Sequence, residues 1–280
     1  MNTYILLFKC KDREGIVAKI SDFIYRHSAN IISLDQYTTN AEGGDFFMRL
    51  EFVIKRPQKD IGILQKGMGE IANFFGAEYR IYDKEQPLRM GIMVSGVDHC
   101  LLELLYLWNC RELKVKIPFI ISNHQQHQSI AKQYDIPFYY IPATKYDRRE
   151  REMLNIVKDN SDFLVLARYM LVLSGDFLQE YSKDIINIHH GFLPSFKGKN
   201  PYKEALAKGV KVIGATAHFV NEALDEGPII SQAVASVSHR DNLPELLQKG
   251  RNLEKQALAE AVLRYVDYRV IRHQNKTIVF

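Results

Sequence analysis

The sequence predicts an α/β chain in two parts, a small β-α-β-β-α-β unit over residues 1–82 and a larger doubly wound sheet over residues 89–280. Three observations carry that prediction. Segments with apolar residues at helical spacing alternate with short β-branched runs, the pattern of sheets covered by helices. A charged stretch without periodicity, Asp83-Lys84-Glu85-Gln86-Pro87, ends in proline and marks a linker over residues 83–88. The 280 residues also exceed the roughly 100–200 of a single core.

In the first part, Thr3–Lys9 reads as a buried strand. A helix opens at Gly15 and runs to about His27, with Ile16, Ile20 and Ile24 on one stripe. Asn30–Thr39 and Asp45–Lys55 are strands joined through Ala41-Glu42-Gly43-Gly44, whose paired glycines suit a hairpin turn. Asp60 is placed to cap a second helix, Ile61 to Phe75, and Ala77–Tyr82 closes the unit. This order is ferredoxin-like.

Beyond the linker, Arg89–Ser95 leads to a helix from Asp98 to Asn109, and Val115–Ser122 to one over Gln126–Tyr134. Phe138–Ile141 precedes the charged helix Tyr146–Lys158, and Phe163–Ala167 passes through a short helix near Gly175–Tyr181 to Ile185–His189. Such alternation argues for a Rossmann-like parallel sheet with helices on both faces. A loop punctuated by Pro194, Gly198 and Pro201 and a helix ending at Gly209 follow, then the strands Val210–Val220 and Ile229–Val237. Leu243–Val270 reads as one long amphipathic helix and Thr277–Phe280 as a terminal strand or tail.

Composition is that of a globular protein, with 46% hydrophobic and 25% charged residues. A net charge of +4, from 37 basic and 33 acidic residues, calls for neither nucleic acid nor a membrane as partner and suits a small anion. Cys10, Cys100 and Cys110 show no zinc-binding spacing and read as reduced thiols. The apolar run Phe163–Leu173 is cut by Arg168 and too short to span a bilayer, and no signal peptide is seen, so a cytoplasmic location is expected.

The chemistry concentrates between Asn187 and Ile230. Asn187, His189 and His190 follow the apolar run Ile185-Ile186, where strand ends face the ligand crevice of an α/β sheet. Thr216 and His218 share one face of the next strand, and Asp225 sits in the turn Leu224-Asp225-Glu226-Gly227-Pro228. A neutral amide suits an oxyanion and an imidazole suits proton transfer near neutral pH. Taken singly, each has a structural explanation: a strand-end cap for Asn187, a hydrogen-bonded histidine for His189, an Asx turn for Asp225. Three complementary groups on one segment favour catalysis. Zinc on His189, His190, His218, His239 and Asp225 is the chemical competitor, weakened because adjacent strand residues point to opposite faces and no HExxH or CxxC occurs. The first βα turn, Ser95-Gly96-Val97-Asp98-His99, has one glycine and sets the Asp98 carboxylate where a phosphate would approach, which argues against a nucleotide.

Asn187-Ile188-His189, Leu193-Pro194, Gly214-Ala215-Thr216-Ala217-His218 and Leu224-Asp225-Glu226-Gly227-Pro228 resemble the folate-dependent formyltransferase fold. The likeness is closest to the formyltetrahydrofolate deformylases, through His189-His190, Phe192 to Gly198, His99-Cys100-Leu101 and Ser122-Asn123-His124. The N-terminal part resembles ACT domains, with Asp12 and Gly15 at the corner where such modules take an effector.

The resemblance covers essentially the whole chain. It implies hydrolysis of 10-formyltetrahydrofolate to tetrahydrofolate and formate, with Asn187, His189 and Asp225 as the catalytic set. It further implies a substrate site built from Arg168, Tyr169, Met170, Leu171, Leu173, Thr216, His218 and Asn221, and no cofactor or metal beyond the folate itself. A homo-oligomer and an amino-acid effector, methionine or glycine, are implied for the ACT-like part. The alternative it leaves open is formyl transfer to an amine such as glycinamide ribonucleotide. Gly191 stands where the family usually has serine, Leu171 where a basic residue is common, and Lys199-Asn200 where Ala-Lys is more usual.

Overall fold

The computed structural model describes residues 2–40, 42–54, 61–195 and 201–280, in two compact units. Asp60, Ala41 of the hairpin turn, and the stretch 196–200 with Gly198 and Lys199-Asn200 lie outside the described residues.

The first unit is β1 (Asn2–Lys11), α1 (Ile16–Arg26), β2 (Ala29–Thr38), β3 (Asp45–Ile54), α2 (Ile61–Phe75) and β4 (Glu78–Asp83), with sheet order β2-β3-β1-β4. All its pairings are antiparallel, which is the ferredoxin-like topology. Buried Ile16, Ile20 and Ile24 of α1 and Leu64, Met68, Ile71 and Phe75 of α2 recur at helical spacing and form one core with Leu6, Phe8, Met48 and Phe52 of the sheet. On β3 the guanidinium of Arg49 is fully buried, donating to Glu51 Oε2 at 3.0 Å and to the Asp267 carbonyl at 3.1 Å.

That last contact corrects the domain boundary expected at the C-terminus. Residues Asp267–His273 and Ile278–Phe280 group with the first unit instead of belonging to one domain over residues 89–280. Asp267 meets Arg49, Tyr268 stacks on Tyr82 with ring centres 4.0 Å apart, and His273 packs on Phe47. The long helix therefore stops at Val266, short of the expected Val270, and Tyr268 turns left-handed at φ 54°.

The second unit comprises Leu88–Val266 and Gln274–Thr277. Its strands are β5 (Met90–Val94), β6 (Ile120–Ser122), β7 (Phe138–Tyr140), β8 (Phe163–Leu166), β9 (Ile185–His189), β10 (Val212–Phe219) and β11 (Ile229–Ser236). The helices between and after them are α3 (His99–Asn109), α4 (Gln128–Gln133), α5 (Glu150–Asn160), α6 (Gly175–Tyr181), α7 (Pro201–Lys208) and α8 (Leu243–Val266). The chain closes with β12 (Val270–His273) and β13 (Lys276–Val279).

Sheet order is β11-β10-β9-β8-β5-β6-β7, parallel from β9 to β7. The sheet is mixed, since β10 runs antiparallel to both β9 and β11. Residues 220–228 alone join β10 to β11, too few for the crossover of a dozen or more residues that a parallel partner needs. The strand expected over Val115–Ser122 shortens to β6, with Pro118 offering no N–H for a ladder. Because β5 has β6 on one side and β8 on the other, the sheet order reverses there, and the loops after β5 and β8 open the crevice typical of such a switch point.

Candidate active site

Buried Ile186 and Ile188 fill one face of β9, and alternation puts Asn187 and His189 on the other, at the strand's carboxyl end. Pairing of β9 with β10 sets His218 opposite Asn187. Asp225 arrives from the turn after β10, in a left-handed conformation (φ 57°) that costs a non-glycine residue on the order of 1–2 kcal/mol. Gly227 makes that turn possible: a Cβ there would lie 1.7 Å from the Phe219 carbonyl oxygen. Phe219 N in turn donates to Pro228 O at 2.9 Å, closing the loop back on its strand.

These constraints bring Asp225 Oδ2 to 3.1 Å from His189 Nδ1 and Asp225 Oδ1 to 3.7 Å from His218 Nε2. Burial on its own would raise the Asp225 carboxyl, but the His189 hydrogen bond and the histidines around it hold it below the ordinary carboxylate value. Burial pushes His218 below the ordinary imidazole value, against the opposing pull of the Phe219 carbonyl and Asp225. A neutral His218 then donates from Nδ1 to Phe219 O at 2.9 Å and accepts at Nε2 from the Asn187 amide at 3.2 Å. One amide N–H of Asn187 is thereby held, and the other is left for the pocket.

The pocket itself holds about 430 Å³. One wall is the segment after β8, where Arg168, Tyr169, Met170, Leu171 and Leu173 all contribute. Its backbone is clamped at several points. Ser95 N donates to Arg168 O at 3.2 Å, Met170 N donates to Ser95 Oγ at 3.0 Å, and that hydroxyl donates to Asn123 Oδ1 at 2.8 Å. Ser174 at the far end bonds Glu150 through both its amide and its hydroxyl. The opposite wall is Val220 to Asp225, including Asn221. A slot between two largely apolar walls, with an amide, imidazoles and a carboxylate at its base, suits a flat ring system carrying a polar reacting group.

Thr216 does not line this pocket. It is fully buried, donating to Gly191 O at 3.0 Å and accepting from Leu193 N at 3.1 Å and Gln232 Nε2 at 3.0 Å, so it pins the chain after β9. Asp12 and Gly15 lie in the first unit at the β1–α1 turn, where Asp12 N donates to Gly44 O and Gly15 takes φ 84°.

Comparison with known proteins gives this geometry a family. Residues 88–262 match the family model described as formyl transferase. Over 278 residues the chain is 45% identical to a formyltetrahydrofolate deformylase from Mycobacterium bovis, covering 98% of this chain and 90% of the relative. The chain belongs to the formyltetrahydrofolate deformylase family. The crystal structure of a deformylase from Pseudomonas syringae pv. tomato superposes with a TM-score of 0.95 at 41% identity, covering 100% of this chain and 95% of that one. A glycinamide ribonucleotide transformylase from Symbiobacterium toebii reaches a TM-score of 0.65 at 26% identity, covering 71% of this chain and 97% of its own. The deformylase match thus takes in both units, and the transformylase match does not span the chain.

Two features of this deformylase-family site escaped sequence reasoning. His190 lines the pocket beside His189, their ring centres 5.3 Å apart, although the sequence gives it no catalytic or substrate-binding role. Glu254 of α8 is buried and accepts from His99 Nε2 at 2.8 Å and Tyr202 Oη at 3.1 Å, with Arg168 Nε 3.1 Å away. Its signal was available, since it follows Gly250 and precedes Leu258 at four-residue spacing on the buried stripe of α8. Gly250 admits the Tyr202 ring, which a Cβ there would meet at 2.3 Å.

Among the described residues, three ligand-type groups converge at His99, Cys100 and Glu254, not at His189 and His218. That cluster is a poor metal site: the Arg168 guanidinium already occupies Glu254, and burial pushes the Cys100 thiol well up, so that it keeps its proton. Asp98 is the N-cap of α3 but makes no side-chain hydrogen bond to the helix, contrary to an ordinary capping role. No helix among the described residues is long and apolar enough to cross a membrane.

Proposed function

We propose that this chain hydrolyses 10-formyltetrahydrofolate to tetrahydrofolate and formate, with Asn187, His189 and Asp225 as its catalytic groups. The single observation that carries the reading is the placement of those three, with His218, at the base of an apolar slot, in a chain of the deformylase family. The pterin ring lies between the Arg168–Leu173 segment and the Val220–Leu224 wall, and the formyl group points at Asn187. Asp225 Oδ1, left open at 3.7 Å from His218, orients a water and takes its proton as the water oxygen attacks the formyl carbon. The free amide N–H of Asn187 and the imidazolium of His189 receive the developing oxyanion. The C–N10 bond then breaks, His189 or a water it holds protonates N10, and formate leaves as the anion. The net reaction consumes one water and releases one proton.

Water is the acceptor in this reading, and a phosphorylated amine is not. Asp98 at the first βα turn, whose carboxylate makes no capping bond to α3, repels a phosphate that would seek the α3 N-terminus. The test incubates purified protein with 10-formyltetrahydrofolate, with and without glycinamide ribonucleotide, and follows formate and formylated nucleotide. Formate at equal rates in both, with no formylated nucleotide, is the expected result. Stoichiometric formyl transfer to the amine would move the chain to the transferases.

A further inference from the structure

A second cavity of about 280 Å³ shares Arg168 and His190 with the catalytic pocket and is otherwise separate from it in lining. The proposed mechanism uses none of its remaining walls. Glu254 is the carboxylate that lines it, and its charge is already engaged by His99, Tyr202 and Arg168. Burial would raise the Glu254 carboxyl, but the His99 bond and the nearby Arg168 charge hold it below the ordinary value, so it stays ionised within that cluster. Lys203 and Arg251 also line the cavity, and neither makes an ion pair with a carboxylate among the described residues. Arg168 lines both spaces, and its Nε, buried behind that wall, donates no hydrogen bond despite its closeness to Glu254. The rest of the lining, including Val97, Leu243 and Leu247, is apolar. A cavity of this kind favours a small anion over a cation or an extended polar ligand.

The hydrolysis proposed above makes such an anion. Formate forms beside Asp225, which repels it once that carboxyl has passed the proton taken from water on to solvent. Tetrahydrofolate fills the apolar slot and leaves through its mouth, so the slot is occupied when formate is released. We propose that the second cavity is a product-side anion site that receives formate, held by Arg251 and Arg168, with His190 in the shared wall. This inference rests on the hydrolysis reading and extends it, separating the way out of the small product from that of the large one.

Added formate tests the site, at constant ionic strength, with the full chain turning over 10-formyltetrahydrofolate. Formate should inhibit without competing with the folate, because both fit at once. Arg251→Ala should raise the formate inhibition constant about tenfold, the loss of one charge-assisted hydrogen bond. Its kcat/KM for the folate should stay within about twofold. Arg251→Lys should restore most of the inhibition, and Lys203→Gln should weaken it less than Arg251→Ala. Line broadening of [13C]formate by the protein reports binding independently of turnover and should fade in Arg251→Ala. Inhibition that competes with the folate and ignores Arg251 would place formate in the catalytic pocket alone and overturn the proposal. Inorganic phosphate inhibiting more strongly than formate, with the same Arg251 dependence, would overturn formate as the occupant. Absence of formate production by the unsubstituted chain would strike at the hydrolysis itself, leaving the line-broadening result to judge the anion site.

Discussion

At the scale of the residue, the site works by holding a few polar atoms in fixed relation. Asn187 has one N–H on His218, so its second is aimed without the amide having to reorganise. Asn187→Ala should lower kcat by ~10²–10³, the usual effect of losing an oxyanion donor. Asp225→Asn should cost ~10²–10⁴ as the loss of a general base, with KM little changed. Steady-state kinetics on folded, purified variants checks both, and near-normal rates in the pair would remove the catalytic assignment. His218 supplies a different test. Its folded pKa lies below the ordinary imidazole value of 6.5, so the unfolded chain binds more protons and stability rises with pH. The contribution is full above 6.5 and is lost as pH falls through the depressed folded value. The pH-dependence of the urea midpoint should therefore flatten below 6.5 in His218→Gln. The same variant should lose about tenfold in turnover, because Asn187 loses the acceptor that orients it. A midpoint profile identical to that of the unsubstituted chain would contradict this account of His218.

At the scale of the element, the segment after β8 is a pocket wall whose backbone Ser95 fixes, and the proposed function makes it the wall that meets the folate. Removing the Ser95 hydroxyl takes away the acceptor of Met170 N and the donor to Asn123 together. Leaving that amide unsatisfied costs about 1–3 kcal/mol, borne by the wall and not by the reacting groups. Ser95→Ala should therefore raise KM for the folate about tenfold while kcat changes less than threefold, and a purely global loss of stability would not produce that split. Saturation kinetics decides it, with a fall in kcat at constant KM as the contrary outcome. The elements of both units were mostly legible in advance. Ile16, Ile20 and Ile24 announce α1 by spacing alone, and Ile185-Ile186 announce β9. The shortened β6 was not legible as a run, since Val115, Ile117 and Phe119 alternate as in a strand, while Pro118 interrupts the pairing and leaves Lys116 in an isolated bridge to Arg89.

At the scale of the whole molecule, the proposed chemistry uses only protein groups and water. Turnover should survive exhaustive dialysis against a chelator, and activity lost on dialysis and restored by zinc would recast His189, His218 and Asp225 as ligands. The ferredoxin-like unit is proposed to mediate assembly and to take an amino-acid effector at the Asp12–Gly15 turn. Sedimentation of the full chain should give a mass above that of the monomer, and titration calorimetry should detect methionine or glycine. A monomer at micromolar concentration removes the assembly claim, and heat from neither amino acid removes the effector claim.

By itself, the sequence determined the two-part organisation and the order of nearly every element, and it singled out Asn187, His189 and Asp225, which line one pocket. Those features depend on neighbours within a few positions: apolar spacing, turn residues and the strand ends they punctuate. Tertiary structure alone decided what depends on groups far apart in the chain. The return of Asp267–His273 to the first unit answers the buried Arg49, more than two hundred positions earlier. The antiparallel course of β10, the inward turn of Thr216 toward Gly191, and the meeting of Glu254 with His99 and Arg168 are of the same kind. A buried polar group must find its partner wherever the fold brings one, and that search leaves no periodic mark in the sequence.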